Sequence, residues 1–431
     1  MTSASVRRHS REVVDVELYD PQLWASRGQP DDVFAALRER APVAWVDEPP
    51  VLGWPQGPGY WGVFRHADVR TVNTHPDLFS SQLGATQIRD PLPDDLAFQR
   101  RMLLNLDPPE HTLLRRTVNR AFTPKAVTRL SEWVHERAAA IVGSLEGTTS
   151  CDFAQDVGRD LPLLTLAEIM GVPTEDRHLL FEWANRVIGV HDEDYAKGSI
   201  GDGTRPPVDP RSRASLQDMF DYAHDLAERK RAAPGEDLMS MLLGGVAGEP
   251  LTDEEFENFF FLLSVAGNET LRNAIPGGML ALLEHPDQLA RLRADRSLLP
   301  TAVDEMLRWV TPVTQFRRTA TRDTELTGRH IAAGDKVVVY YASANRDGAV
   351  FPDPDRFDIG RTPNEHLAFG AGPHFCLGAH LARLQMRVFF EEVLWRLPDL
   401  ELAGPVQRLQ SNFQAGVKHM PVRFSTKGGI A

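Results

Sequence analysis

One cysteine, Cys376, sits in a glycine-rich turn that leads into an apolar helical pattern, and this segment constrains the chain more than any other. It runs from His366 to Arg383, with Phe369, Gly370, Gly372 and Gly378 spaced around the thiol. Glycine reaches backbone angles closed to other residues, so three in one turn let the main chain approach a flat ligand closely. The pattern predicts that the following helix starts at Cys376 itself, where its first N–H groups and positive dipole end would lower the thiol pKa. A thiolate held there, with no second cysteine nearby, has the chemistry of an axial ligand to haem iron. The plain alternative is a buried structural cysteine, because free cysteine is among the most buried residue types.

Composition narrows the setting. A length of 431 residues is a bare prior for two or three domains. The two cysteines, Cys151 and Cys376, lie far apart, which excludes a disulfide framework or zinc-ligand spacing and points to a reducing compartment. A net charge of -13 argues against a nucleic-acid partner. The N-terminus carries no apolar run, so the expectation is a soluble, cytoplasmic protein with neither signal peptide nor membrane anchor.

Along the chain, residues 1–30 read as a polar, irregular segment. Asp32 to Arg40 has helical spacing, Pro42–Val46 and Gly59–Phe64 read as strands, and a short helix starts at His66. Residues 79–104 carry no clear period. Pro108 and Pro109 open a helix that places His111 and Arg115 at i, i+4 on one face, two cationic donors facing one way. A solvated basic face is the alternative, since Arg116 and Arg120 follow. Residues 124–243 read as wholly helical, broken by the loop-like Gly198–Pro210.

The longest apolar periodic segment is Thr252 to Glu284. Thr252-Asp-Glu-Glu255 is a capping box, and Phe259–Ala266 is apolar on nearly every face, which predicts a helix through the middle of the protein. Ala266-Gly-Asn-Glu-Thr270 then interrupts it with small and polar residues. Ala266 and Gly267 leave room against the helix wall, and Thr270 can bond back to the carbonyl at 266. Pro276, followed by two glycines, should kink this helix. Glu305 and Arg308 lie at i, i+3 on a further helix. Arg318–Thr321, Thr324–Ile331 and Lys336–Tyr341 read as a small β region, and Ser411–Val417 as a hairpin tip pointing into a pocket.

The spacing Phe369-x-x-Gly372-x-x-x-Cys376-x-Gly378 resembles the haem-binding segment of the cytochrome P-450 family, and the other motifs follow in the family's order over residues 30–425. The resemblance implies a mainly α fold with a small β region, a long central helix over a haem b held by a Cys-ligand loop. It implies one haem domain over residues 31–431 behind the polar segment 1–30, with no fused reductase. Cys376 would be the metal ligand. His111, Arg115, Arg318 and His374 would bind haem propionates, with Phe369, Gly372 and Gly378 shaping the loop. Ala266 and Gly267 would form an oxygen groove, and Glu269 and Thr270 the acid–alcohol pair that delivers protons. Residues 79–104 would lie over the haem. Glu305, Arg308 and Arg356 would form a buried structural network.

The activity so implied is haem-thiolate monooxygenation: one atom of O2 enters a C–H bond of an apolar small molecule. The bacterial members with similar segments act on terpenoids, steroids or branched lipids. Electrons would come from a ferredoxin and its NAD(P)H-dependent reductase, docked by charge near Arg115, Arg116, Arg120 and Arg383. A peroxide-driven haem-thiolate enzyme and a non-catalytic haem sensor remain as other classes. A cysteine hydrolase using Cys376 with His374 or His380 is the weakest, since nothing supplies an oxyanion site.

Overall fold

The computed structural model describes residues 17–51, 54–119, 122–188, 192, 209, 212–244 and 250–426. Helices dominate, and the strands form small sheets. In chain order the first elements are helices α1 (Pro21–Arg27) and α2 (Asp31–Arg40), strands β1 (Val43–Val46) and β2 (Tyr60–Val63), helix α3 (His66–Thr74) and strand β3 (Phe79–Ser80). Helices α4 (Pro93–Gln99), α5 (Glu110–Asn119), α6 (Pro124–Arg129) and α7 (Ser131–Gly143) follow. After strand β4 (Ser150–Asp152) come α8 (Asp160–Met170), α9 (Arg177–Ile188), α10 (Gln217–Ala232) and α11 (Leu238–Leu243). The second half holds α12 (Asp253–Glu284), α13 (Pro286–Ala294) and α14 (Leu299–Val310), then strands β5 (Gln315–Ala320), β6 (Thr324–Leu326), β7 (Arg329–Ile331) and β8 (Lys336–Tyr340). Helices α15 (Tyr341–Ala344) and α16 (Ala379–Arg396) and strands β9 (Glu401–Leu402), β10 (Gln407–Arg408), β11 (Val417–His419) and β12 (Pro421–Arg423) complete it.

Helix α12 is the axis of the molecule. Thr252 caps it, accepting from the Glu255 N–H while the Glu255 carboxylate accepts from the Thr252 N–H, so two orphan donors are satisfied at once. Beyond its acidic first turn most of its residues are buried, and it packs against α8, α9, α10 and α14. A helix apolar on every side can only be stable when surrounded in this way. Pro276 does not end it: the helix continues through Gly277 and Gly278 to Glu284. The two glycines are the seam with α14. A Cβ at Gly277 would lie 2.8 Å from Val310, and one at Gly278 3.0 Å from Met306.

The main sheet has the order β1-β2-β8-β5-β3, parallel between β2 and β8 and antiparallel elsewhere. Strand β8 is therefore central, and β5 lies between it and β3, with Arg318 opposite Val337 and Gln315 opposite Tyr340. β6 and β7 form a hairpin, and β10 pairs with β11 around the Ser411–Val417 tip.

Several sequence expectations change. Residues 1–16 lie outside the described residues, and within 17–30 the chain forms α1, N-capped by Asp20. Gly198–Pro210 lies outside them too, except Asp209. The segment read as wholly helical contains β4, which pairs with β12 to bring Cys151 opposite Val422, and a π-turn at Phe153–Val157. Three residues are too few to show a strand period among helices. The period-free stretch 79–104 holds β3 and α4. In the buried ionic network Arg308 donates to both Glu305 oxygens, at 2.7 and 2.8 Å, with both side chains fully buried. Its third member is Arg361, whose Nε lies 3.2 Å from Glu305 Oε2; Arg356 supplies only its carbonyl, to Arg308 and Arg361. Asn364 and the Asp358 N–H complete the shell around Glu305.

Candidate active site

A large cavity lies between the Ala266–Ala274 part of α12 and the loop that carries Cys376. The loop is shaped by its own backbone. The Cys376 N–H donates to the Phe369 carbonyl at 2.8 Å, and Gly370 and Gly372 take φ of 71° and 69°, which side chains resist. At Gly372 a Cβ would also lie 2.4 Å from the Asn73 carbonyl oxygen. Gly378 differs: its φ is -88°, and a Cβ there would meet nothing within 4 Å. The third glycine is therefore spared for open space beside the thiol, not for a backbone angle.

Cys376 is open to the cavity, whereas Cys151 belongs to the β4 sheet. The predicted helix start is corrected: α16 begins at Ala379, three residues after the cysteine. The expected lowering of the thiol pKa is accordingly not found. Burial pushes the thiol up, against the Gly378 N–H and the Arg115 and Arg383 charges, which pull it down.

Beside the thiol the fold gathers His111, Arg115, Arg318 and His374, all lining the cavity. α5 supplies the first two as the i, i+4 pair predicted, with Arg115 donating to the Phe375 carbonyl. β5 supplies Arg318, whose guanidinium donates to the Arg317 carbonyl (2.8 Å) and to Asn73 Oδ1 (3.2 Å). His374 comes from the cysteine loop and packs against His111 with ring centroids 4.2 Å apart and planes tilted by 48°. Neither ring nitrogen of the buried His111 has a hydrogen-bond partner. Among the described residues none of the four pairs with a carboxylate, although the field of Asp107 reaches His111 and Arg318. Burial, then Arg115, lowers the His111 pKa to about 4; burial, then Arg318, holds His374 well below its ordinary value.

On the opposite wall Ala266, Gly267 and Thr270 of α12 face the cavity. The Thr270 hydroxyl donates to the Ala266 carbonyl at 3.0 Å, the back-bond the sequence suggested, and the helix stays regular. Glu269 is not brought to the cavity. It is buried in an ion pair with Arg272 (2.9 Å), which also donates to Asn185 on α9. Ser411, Phe413 and Gln414 of the tail tip line the cavity as predicted, with Phe316, Val313 and Leu166 among its apolar walls.

These features fit haem. A lone thiol faces open space at Gly378, and a buried cationic group with the orphaned ring nitrogens of His111 suits an anion that no described residue supplies. The sequence reading missed Asn73 and Tyr341, which hold the Arg318 guanidinium in this group: Asn73 Nδ2 donates to the Tyr341 hydroxyl at 3.1 Å. Asn73 carries no signal in sequence, since it reads as one more polar residue near a helix end.

The cytochrome P450 family pattern matches residues 209–398. A steroid C26-monooxygenase of Rhodococcus jostii is 40% identical over 95% of this chain and 85% of its own length. The chain belongs to the cytochrome P450 family. A methyl-branched lipid omega-hydroxylase of Mycobacterium tuberculosis is 41% identical over 96% of this chain and 95% of its own. In structure, a Mycobacterium marinum cytochrome P450 in complex with pseudoionone superposes with a TM-score of 0.87 at 38% identity, covering 96% of this chain and 99% of that one. The expected mainly α fold with a small β region is thereby confirmed. As a P450 the protein is a haem-thiolate monooxygenase that uses O2, an organic substrate and a redox partner. No helix among the described residues is long and apolar enough to cross a membrane.

Proposed function

We propose that this P450 hydroxylates a steroid, methyl-branched lipid or terpenoid at a carbon of its apolar chain. The observation that carries this is the end-to-end likeness to a steroid C26-monooxygenase and a methyl-branched lipid omega-hydroxylase, over a cavity walled mostly by apolar side chains. Haem, when bound, supplies the oxygen activation, and a thiolate ligand favours O–O cleavage. The chain's residues do the rest.

Cys376 is the ligand in this reading, and His111, Arg115, Arg318 and His374 neutralise the haem carboxylates. Ala266 and Gly267 leave space above the haem. Thr270 keeps its hydroxyl on the Ala266 carbonyl and presents an oxygen lone pair to the cavity, ready to hold and pass a proton. Glu269 restores that proton, which requires its carboxylate to turn from Arg272 toward the cavity. Until then the ion pair holds the acid back. A ferredoxin, reduced by an NAD(P)H-dependent reductase, supplies electrons near Cys376, where Leu113, Phe375 and Arg116 are exposed. Arg120 lies outside the described residues; Arg383 is tied to Asp304 at 2.7 Å, and the exposed Arg116 is available for charge steering. Its two free cysteines suit a cytoplasmic setting.

One titration tests the reading. Cholesterol, a methyl-branched fatty acid and pseudoionone are added in turn and the haem absorption shift is recorded; no shift with any of them overturns the substrate class. With the best binder, Thr270→Ala should retain the haem spectrum but lose ~10²-fold in product rate, with peroxide in place of product. Wild-type yield of product per NAD(P)H in that variant would remove Thr270 from the proton path.

A further inference from the structure

Two adjacent arginines of β5 serve different neighbours. Arg318 lines the cavity, whereas Arg317, equally buried, does not. Arg317 instead holds the irregular segment 84–90. Its N–H donates to the Thr86 carbonyl at 3.0 Å, and its Nη1 donates to the carbonyls of Ile88 (3.2 Å) and Gln87 (3.4 Å). Segment 84–90 lies outside any strand or helix, so its carbonyls have no ladder partner, and a guanidinium fork can serve several at once. The contact is tight: a Cβ at Gly84 would lie 2.2 Å from Arg317 Nη2.

The charges around Arg317 balance. Asp90 accepts from Arg317 Nη1 at 2.6 Å and pairs through its other oxygen with Lys336 at 2.8 Å. Lys336 also pairs with the buried Glu48 at 2.8 Å. Two cations and two anions thus tie 84–90 to β5 and β8. From the far side Arg89 stacks on Trp54 at 3.3 Å and pairs with Asp209 at 2.9 Å. Between these two holds, Thr86, Gln87, Ile88 and Arg89 form a wall of the cavity.

We propose that Arg317, with Asp90 as its counter-ion, fixes the position of the 86–89 wall and so determines which carbon of a bound lipid is oxidised. Arg317 is a positioning residue: it acts through the loop, not on substrate. The proposal rests on the lipid-monooxygenase reading above. A wall anchored at one end by a buried fork cannot retreat from a bulky substrate, so the chain threads in one register. Loss of the fork frees the Gln87 and Ile88 carbonyls, while the backbone bond to Thr86 remains, and lets the wall move by the width of a methylene or more.

The experiment compares wild type, Arg317→Ala, Arg317→Lys and Asp90→Ala, each loaded with haem. Asp90 is 52% exposed, so its variant folds even if Arg317→Ala does not. Product regiochemistry is measured with the best binder of the lipid panel, and backbone hydrogen exchange is followed across 84–90. Arg317→Ala and Asp90→Ala should keep the thiolate spectrum, exchange roughly tenfold faster across that segment and spread the product over neighbouring carbons; Arg317→Lys should restore part of the selectivity. An unchanged product ratio with unchanged exchange overturns the proposal, and so does faster exchange with an unchanged ratio, which makes the network only structural. If no panel member shifts the wild-type spectrum, the substrate reading fails instead. Exchange then decides the clamp alone, and unchanged exchange in both variants removes it.

Discussion

Two buried groups of charge in this protein are built on opposite terms. Around Glu305, every charge is answered: Arg308 binds it through both oxygens, Arg361 adds a third side, and Asn364 and the Asp358 N–H fill the remainder. Around His111 the reverse holds. Two arginines and two histidines converge on a cavity, and no carboxylate of the described chain pairs with them. A closed network has nothing left to bind, so its role is to hold α14 against the 353–364 segment. An open cationic group is costly in isolation and is retained because something else completes it. The contrast separates scaffold from site without reference to any motif.

The largest effect should come from opening the closed group. Glu305→Ala leaves Arg308 and Arg361 buried without a counter-ion, a loss of ~3–5 kcal/mol by the usual cost of breaking a buried pair. Urea unfolding of the haem-free protein measures it directly. The loss should be the same whether or not haem is present. A change below ~1 kcal/mol would mean that water reaches Arg308 readily, against its full burial here.

The open group should respond in the opposite sense. Arg318→Ala removes a buried charge, which desolvation already disfavours, so the haem-free protein should be no less stable and even gain. Haem retention should suffer: transfer to a haem scavenger should be about tenfold faster, equivalent to ~1.4 kcal/mol. Equal losses in haem-free and haem-loaded protein would make Arg318 a scaffold residue and dissolve the comparison.

How far each group was legible in sequence follows from where its partners lie. His111 and Arg115 share one helix face, and Glu305 and Arg308 share another, so local spacing exposed both pairs. Arg361 was misread as Arg356 because the chain around both is irregular, and only the folded path shows which side chain turns inward. Glu269 was read as part of the cavity because it adjoins Thr270, yet a helix turns by about 100° per residue. Adjacent residues therefore face different ways, and Arg272 at i+3 fixes the acid on the far side. Cys376 was placed at a helix start, but the turn needs three more residues before α16 begins. Thr252, the apolar body of α12 and the strands of β5 and β8 were legible because capping and periodicity are local signals.

The smallest effect is a pH slope that should differ between the two forms of the protein. Burial and the neighbouring Arg115 lower the His111 pKa from 6.5 to about 4 in the folded chain. A folded pKa below the unfolded one means the unfolded chain binds more protons in between. The stability is full above about 6.5 and is lost as pH falls toward about 4. The loss between pH 7.5 and pH 5 is on the order of 1 kcal/mol. Urea midpoints of the haem-free protein at pH 7.5 and pH 5 should show the fall, and His111→Gln, which does not titrate, should flatten it. Haem carboxylates beside the ring would raise its pKa and flatten the slope in the loaded protein as well. A slope that survives both His111→Gln and haem loading would place the titration elsewhere.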